Sequence, residues 1–200
     1  MPKYVDHDLQ RQEVAEIVAT LIARAGIESV TVRAVAQEAG VSTAVVSHYF
    51  ASKRELLLHC YRATAARATA RVQAAMAVDD SNLEAVLAAL LPIRADARRD
   101  WLVWFAFWGM AIADPEFSKH QRMEVKKARK TFATWLGNNP RLPTRRKRHV
   151  ERIARQLLTL LMGTAIEAAF DPADWPATRQ RAQFASILSE LTTPAPRRSR

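Results

Sequence analysis

The stretch GVSTAVVSHYF, residues 40–50, combines a glycine, several small polar residues, a histidine and two aromatic residues. Gly40 tolerates the left-handed backbone of a tight turn, and Ser42 is placed to cap a helix that starts directly after it. On this helix, predicted over 43–50, Val46 and Phe50 share one side and Tyr49 lies beside them. The other side is small, partly polar and free of acidic residues: Thr43, Ala44, Val45, Ser47 and His48.

The residues before this stretch predict two more helices. Apolar residues recur at helical spacing from Val14 to Ala25, and Gly26 follows as a stop signal. Thr31 is placed to cap a short second helix that ends at Gly40. Two short helices joined by a tight turn, with a longer helix before them, form a helix-turn-helix.

The outward side of the third helix suits the major groove of DNA. Hydroxyl groups of threonine and serine can hydrogen-bond to base edges, Val45 can contact a thymine methyl group, and His48 and Tyr49 can reach bases or phosphates. An ordinary solvated helix face is the alternative. Lys53 opens the next helix after a capping box of Ser52 and Glu55. A cation there opposes the helix dipole, which favours a nearby anion. Ser81 with Glu84 predicts a second capping box at the helix that follows.

Composition predicts an all-α protein of about nine helices. The chain has 200 residues, 49% of them hydrophobic, and alternating β-branched runs are nearly absent. Without an apolar leader or a long uninterrupted apolar segment, we expect a cytoplasmic protein with no membrane partner. The single cysteine, Cys60, excludes an internal disulfide and a cysteine metal cluster. No catalytic motif appears, so we expect no enzyme activity, cofactor or metal.

The positive charge lies in the second half of the chain. The formal net charge is +10, yet residues 1–52 hold four basic side chains against six acidic ones, whereas residues 117–155 hold thirteen against two. The basic run at 145–155 is either a solvated helix start or an anion-binding patch. A nonspecific nucleic-acid-binding protein driven by this basic half is therefore the alternative function.

Residues 31–57, TVRAVAQEAGVSTAVVSHYFASKRELL, closely resemble the DNA-binding signature of the TetR family of bacterial transcriptional regulators. The matching positions are Thr31, the run from Ala36 to Gly40, Val41, Ser42, Phe50, Lys53 and Leu56. The resemblance implies an all-α homodimer that binds double-stranded operator DNA, usually as a repressor released by a small-molecule effector. It also implies a helix-turn-helix domain over 1–52 and an effector-binding and dimerisation domain over 53–193. The basic tail over 194–200 contains proline, and we expect it to be disordered.

The same resemblance assigns roles to individual residues. Thr31 and Lys53 look like phosphate contacts, and the reading face would comprise Thr43, Ala44, Val45, Ser47, His48 and Tyr49. Ala44 replaces a frequent glycine, and Ser47 replaces a frequent tyrosine that contacts phosphate in many members. VSTAVVSHYF and, further along, WFAFWGMAIADPEF are similar to the choline-responsive, BetI-like branch of the family.

Aromatic residues in the second half suggest an effector site. Trp101, Trp104, Phe105 and Trp108 recur at helical spacing, and indole rings attract organic cations, although core packing is the alternative. The segment 157–170 is apolar enough to be buried, which suggests that Met162 and Glu167 join this site. A buried carboxylate needs a partner, either the effector cation or an arginine across the dimer.

The last two helices, predicted near 144–170 and 174–192, are the expected dimer contact. Small residues on the first and an apolar row on the second predict a four-helix interface: Gly163, Thr164, Ala165, Ala168 and Ala169, then Phe184, Ile187, Leu188 and Leu191.

Overall fold

The computed structural model describes residues 7–142 and 146–192, and all its regular elements are helical. They are α1 (His7–Ala25), a 3-10 turn (Ile27–Ser29), α2 (Val32–Ala39), α3 (Thr43–Tyr49), α4 (Lys53–Asp79), α5 (Leu83–Ala88), α6 (Ala95–Ala113), α7 (Pro115–Asn138), α8 (Lys147–Phe170) and α9 (Ala177–Thr192). The predicted all-α fold is confirmed, with nine α-helices over the described ranges.

The turns that position α3 follow the sequence signals. Gly40 ends α2 with φ 67° and ψ 27°, a left-handed conformation that costs glycine little. Thr31 caps α2 by accepting a hydrogen bond from the Ala34 N–H at 3.0 Å, and Ser42 caps α3 by accepting from the Val45 N–H at 3.4 Å. The helix ends one residue before the predicted position because Phe50 is extended, with ψ 114°.

The two predicted capping boxes have different outcomes. At α4, the Glu55 N–H donates to the Ser52 hydroxyl oxygen at 3.1 Å, and the Glu55 carboxylate accepts from the Ala51 N–H at 2.9 Å. The second box, Ser81 with Glu84, is wrong. Asn82 caps α5 by accepting from the Ala85 N–H at 3.0 Å. Because α5 begins at Leu83, Glu84 falls one position too early to complete a box.

By packing, the chain forms two compact units. One contains residues up to 68 together with 99–121, and the other contains residues 69–98 together with those from 122 onwards. The core of the first unit gathers residues from α1, α2, α3, α4 and α6, among them Val18, Val35, Val46, Leu56 and Phe107. The domain boundary at residue 52 stays a prediction, and the basic tail at 194–200 lies outside the described residues.

The second unit buries one side of α8, including Val150, Ile153, Leu157 and Leu161. Phe184 and Leu188 of α9 are also buried, with 1% and 6% of their surface exposed. By length and composition alone α8 could cross a membrane, but 44% of its most apolar window is already buried within the chain. Such burial is typical of a core helix in a globular unit.

Candidate functional site

The side chains of α3 separate into a buried and an exposed set. Val46 and Phe50 are only 1% and 3% exposed, and they pack in the core cluster of the first unit. On the other side, the side chains of Thr43, Ala44, Val45, Ser47 and His48 are exposed. The predicted split of this helix is therefore confirmed, and the roles of the exposed residues in DNA contact stay a prediction.

Tyr49 differs from the other predicted reading residues because it is half-buried. Its hydroxyl group donates a hydrogen bond to the Gln10 carboxamide oxygen of α1, and its carbonyl oxygen accepts from Arg11 at 3.1 Å. The His48 ring meets the Tyr49 ring edge-on at 5.3 Å. Tyr49 thus fastens the end of α3 to α1, and its hydroxyl group is already engaged within the protein.

Arg11 is a residue of this region that sequence reasoning missed. Its guanidinium group lies 4.7 Å from the centre of the Phe50 ring and forms an ion pair with Glu55 at 3.2 Å. The hydrogen bond from the Ala51 N–H, followed by the Arg11 contact, lowers the pKa of Glu55. Arg11 therefore joins α1 to the end of α3 and the start of α4. Its position on the first turns of α1 carried no spacing signal for this role.

His59 on α4 supports the same corner. Its Nε2 atom lies 3.1 Å from the Arg11 carbonyl oxygen, and its ring centre lies 5.3 Å from that of Phe50. Burial of the ring and the nearby Arg11 cation lower the pKa of His59. Burial and the Arg11 cation thus favour the neutral imidazole, although the hydrogen bond to the Arg11 carbonyl oxygen acts in the opposite direction.

The two predicted phosphate contacts are occupied within the protein. The Thr31 hydroxyl group caps α2, and the Lys53 ammonium group lies 3.6 Å from the Glu28 carboxylate. The Glu28 side chain is 93% exposed, and exposed ion pairs of this kind contribute little stability. Lys53 is therefore able to exchange Glu28 for a phosphate at little cost.

The aromatic face of α6 is divided between core and surface. Trp101 is 3% exposed, as the core-packing alternative requires, whereas Trp104, Phe105 and Trp108 are half-buried. Neighbouring rings lie close together, with centres 4.7 Å apart for Trp101 and Trp104 and 5.6 Å apart for Phe105 and Trp108. The indole N–H of Trp108 is buried, with no hydrogen-bond partner among the described residues.

The two candidate effector residues of α8 belong to the second unit, whereas the aromatic face belongs to the first. Met162 is half-buried and Glu167 is exposed within one chain, so burial of Glu167 by an effector or a partner chain stays a prediction. The buried row of α8 runs through Leu161, Ala165 and Ala168, which places Glu167 on a different side. A common site with α6 stays a prediction.

Ion pairs attach both ends of α6 to the helices beside it in the first unit. Near its start, Asp100 is fully buried and accepts from Arg67 of α4 at 2.7 Å. Arg67 and Arg99 also both bind the Glu16 carboxylate of α1. Just after its end, Asp114 accepts from Arg54 of α4 at 2.6 Å, which lowers the pKa of Asp114 to about 2. Asp114 also caps α7 by accepting from the Phe117 N–H at 3.2 Å.

Sequence reasoning missed this set of charges, although one signal was present. Asp100 stands directly before the aromatic run of α6, where an acidic residue requires a buried cation as its partner. The partner could not be chosen from sequence, because Arg67 lies 33 positions away from Asp100.

An open cleft of about 480 Å³ lies in the second unit near the ends of α4 and α7. Its walls include Met76, Asp80, Lys130, Thr134 and Trp135, and none of these was a predicted site residue. The Trp135 indole N–H donates to the Asp80 carbonyl oxygen at 2.9 Å, which fixes one wall.

Comparison with known proteins identifies both parts of the chain. Residues 19–60 match the family model described as bacterial regulatory proteins, tetR family. Residues 80–193 match the model described as BetI-type transcriptional repressor, C-terminal. This second match covers more than half of the chain.

Individual relatives agree with the family models. The chain is 29% identical over 175 residues to the HTH-type transcriptional regulator PksA of Bacillus subtilis, covering 86% of this chain and 84% of the relative. It is 29% identical over 200 residues to the HTH-type transcriptional regulator BetI of Burkholderia mallei, covering 97% and 99%.

The fold also matches a solved structure of a transcriptional regulator from Saccharomonospora viridis in complex with choline. The TM-score is 0.77 at 22% identity, with 91% of this chain and 96% of that one covered. The chain therefore belongs to the TetR family, as a sequence-specific helix-turn-helix transcriptional regulator whose C-terminal region is of the BetI repressor type.

Proposed function

We propose that this regulator recognises its operator through the exposed side of α3 and represses transcription until an organic cation releases it. The observation that carries the proposal is the division of α3, in which Val46 and Phe50 are buried while the opposite side presents short side chains. A helix held in this way can enter the major groove without rearranging the core behind it.

The exposed side chains suit close approach to base edges. Ala44 lets the backbone come near the groove floor, Thr43 and Ser47 offer hydroxyl groups, and Val45 offers a methyl contact for thymine. His48 is the longest group on this side and reaches a base or a phosphate. Tyr49 acts by fixing the angle of α3 through Gln10. Thr31 and Lys53 position the helix on the phosphate backbone.

The active form in this proposal is a homodimer that acts in the cytoplasm. Phe184, Leu188, Thr164, Ala165 and Ala168 are buried within one chain, so the apolar side left for a partner is the exposed part of α8. There Ile166 and Phe170 are 37% and 85% exposed and Gly163 allows close approach. A two-fold dimer places two α3 helices on half-sites about 34 Å apart, or a multiple of that distance.

The proposed effector is an organic cation such as choline. Trp104, Phe105 and Trp108 present partly exposed aromatic faces, which attract quaternary ammonium groups by about 0.5–2 kcal/mol for each contact. The choline complex of the structural relative supports this ligand class. A cation on α6 can influence α3 through Arg99 and Glu16, because Glu16 lies on α1, which Tyr49 and Arg11 attach to α3.

The first experiment is a gel shift on the DNA immediately upstream of the protein's own gene. We expect a shift that survives unrelated competitor DNA and disappears when choline or another quaternary ammonium compound is added. His48→Ala should weaken this specific shift by about tenfold or more, corresponding to one lost base contact. Gln73→Ala, an exposed substitution on α4, is the matched control and should leave the shift unchanged.

The outcomes separate the parts of the proposal. A specific shift that no cation disturbs would refute the ligand class and keep operator recognition by α3. Equal effects of His48→Ala and Gln73→Ala would refute the assignment of α3. A shift that competitor DNA abolishes entirely would exclude self-regulation through this upstream site.

A further inference from the structure

The net charge of the chain belongs to one of its two units. Residues 1–68 and 99–121 hold ten basic and ten acidic side chains, whereas residues 69–98 and 122–200 hold twenty and ten. The unit that contains α3 is therefore neutral in sequence, although DNA is a polyanion. The formal charge of +10 comes entirely from the other unit.

Cations of the first unit are also largely neutralised by local ion pairs. Arg24 pairs with Glu38 at 3.3 Å and Arg54 with Asp114 at 2.6 Å, in addition to the pairs of Arg11, Arg67 and Arg99. Sequence-independent affinity for DNA comes mainly from cations that displace counterions from phosphates. The first unit offers few cations for this purpose.

One side of α7 in the second unit is basic and exposed. At 100° per residue, five of the six basic residues of α7 fall within an arc of about 100°, with Lys127 and the acidic Glu124 outside it. We call the four of them that belong to the second unit, Arg122, Lys126, Arg129 and Lys130, the α7 basic face. Lys126 and Lys130 stand four positions apart, an arrangement that destabilises a helix through like-charge repulsion. Lys126, Arg129 and Lys130 form no ion pair within the described part of the chain.

The start of α8 has a similar basic side, with one exposed acidic residue, Glu151, next to it. Arg148, Arg152 and Arg155, the α8 basic face, are exposed and lie opposite the buried row that contains Leu157. Arg148 and Arg152 are again four positions apart. The first turn of α8 contains Lys147 and Arg148 and no acidic residue, although the helix dipole disfavours cations there.

Both faces thus carry like-charge arrangements that weaken an isolated helix and that a bound polyanion would relieve. We infer that the α7 and α8 basic faces bind the phosphate backbone of duplex DNA without regard to sequence, in addition to the operator contacts proposed for α3. Duplex DNA is the polyanion on which a transcriptional regulator acts, and the neutral first unit leaves this electrostatic contribution to the second.

The test measures how the affinity of the full-length protein for a non-operator duplex depends on salt. Fluorescence anisotropy with a labelled duplex gives log K against log salt concentration, whose slope changes by about 0.9 for each phosphate contact. The two test variants are Lys126→Gln/Lys130→Gln and Arg148→Gln/Arg152→Gln. The matched control, Arg98→Gln/Arg181→Gln, removes the same charge from exposed positions of the same unit. Circular dichroism verifies that all variants are folded.

We expect each test pair to flatten the slope by about one to two and to weaken binding severalfold, while the control pair leaves the slope unchanged. The inference is overturned if all three pairs behave alike, or if neither test pair changes the slope. Binding to vesicles that contain phosphatidylglycerol is measured in parallel. The inference is equally overturned if the test pairs bind the duplex as the wild type does and lose binding only to these vesicles, because the partner would then be a membrane surface.

The result is independent of operator recognition. The ratio of operator to non-operator affinity should fall in His48→Ala and stay unchanged in the two test pairs. If the protein showed no preference for the operator, the proposed role of α3 would be refuted, and the salt dependence of binding to the non-operator duplex could still be measured.

Discussion

At the scale of single residues, the buried and exposed positions of α3 should differ sharply in their effect on stability. Phe50→Ala removes a ring that is 3% exposed and lies against Arg11, and we expect it to cost about 3–5 kcal/mol of unfolding free energy. His48→Ala on the exposed side should change this free energy by less than about 0.5 kcal/mol. Urea unfolding measures both values, and similar losses would contradict the division of the helix.

His59 should make stability depend on pH in the mildly acidic range. Its folded pKa is lowered below the ordinary value of 6.5, so the unfolded chain binds the proton more readily. The contribution of the neutral ring to the free energy of unfolding is complete above pH 6.5 and is lost as pH falls through the folded pKa. We expect His59→Gln to remove this part of the pH dependence.

Thermal unfolding at intervals between pH 5 and 8 measures the effect of His59. His48→Gln, which changes an exposed histidine, is the control and should keep the wild-type profile. A decline towards low pH that is equally steep in His59→Gln would assign the effect to other groups.

At the scale of elements, the turn between α2 and α3 depends on the backbone of Gly40. Its φ of 67° is a left-handed value, and an added Cβ atom would meet no atom within 4 Å. The cost of Gly40→Ala is therefore conformational, about 1–2 kcal/mol. Gly109→Ala, at an uncrowded position within α6, should instead stabilise the protein by about 0.5–1 kcal/mol. Denaturant melts of the two variants should shift in opposite directions, and a shared direction would contradict this account.

The same elements show which features a sequence can predict. Gly40, Thr31 and Ser42 act within four residues of their partners, so local chemistry was sufficient to place α2 and α3. The predicted Ser81 box is wrong because the next residue, Asn82, is the N-cap of α5. Contacts between distant helices, such as Arg67 with Asp100, depend on packing that no local pattern reveals. Glu167 shows the same limit, because the apolar composition of 157–170 did not distinguish Glu167, which is exposed within one chain, from its buried neighbour Ala168.

At the scale of the whole molecule, effector response should depend on the charges that attach α6 to α1. Arg99→Gln removes one bond to Glu16, and the exposed neighbour Arg98→Gln is the matched control. We expect the operator affinity of both variants, measured without effector, to stay within a few-fold of the wild-type value. The decrease in affinity caused by the cation, typically 5–150-fold in coupled proteins, should shrink only in Arg99→Gln.

Operator binding with and without the cation measures this coupling. Trp104→Ala tests the proposed cation-binding face of α6. It should also reduce the effect of the cation on operator binding while leaving operator affinity without the cation unchanged. If Trp104→Ala instead abolishes operator binding and destabilises the fold, the ring belongs to the core. An undiminished response in Arg99→Gln would show that the signal travels by another route.

The division of α3 has a consequence for how such regulators diverge. Because folding depends on Val46 and Phe50, while the proposed base contacts lie on exposed neighbours, the two sets of positions can change independently. Duplicated copies of the gene can therefore acquire new operators through a few exposed substitutions without first losing a stable fold. In this helix, evolutionary retargeting needs no compensating change in the interior.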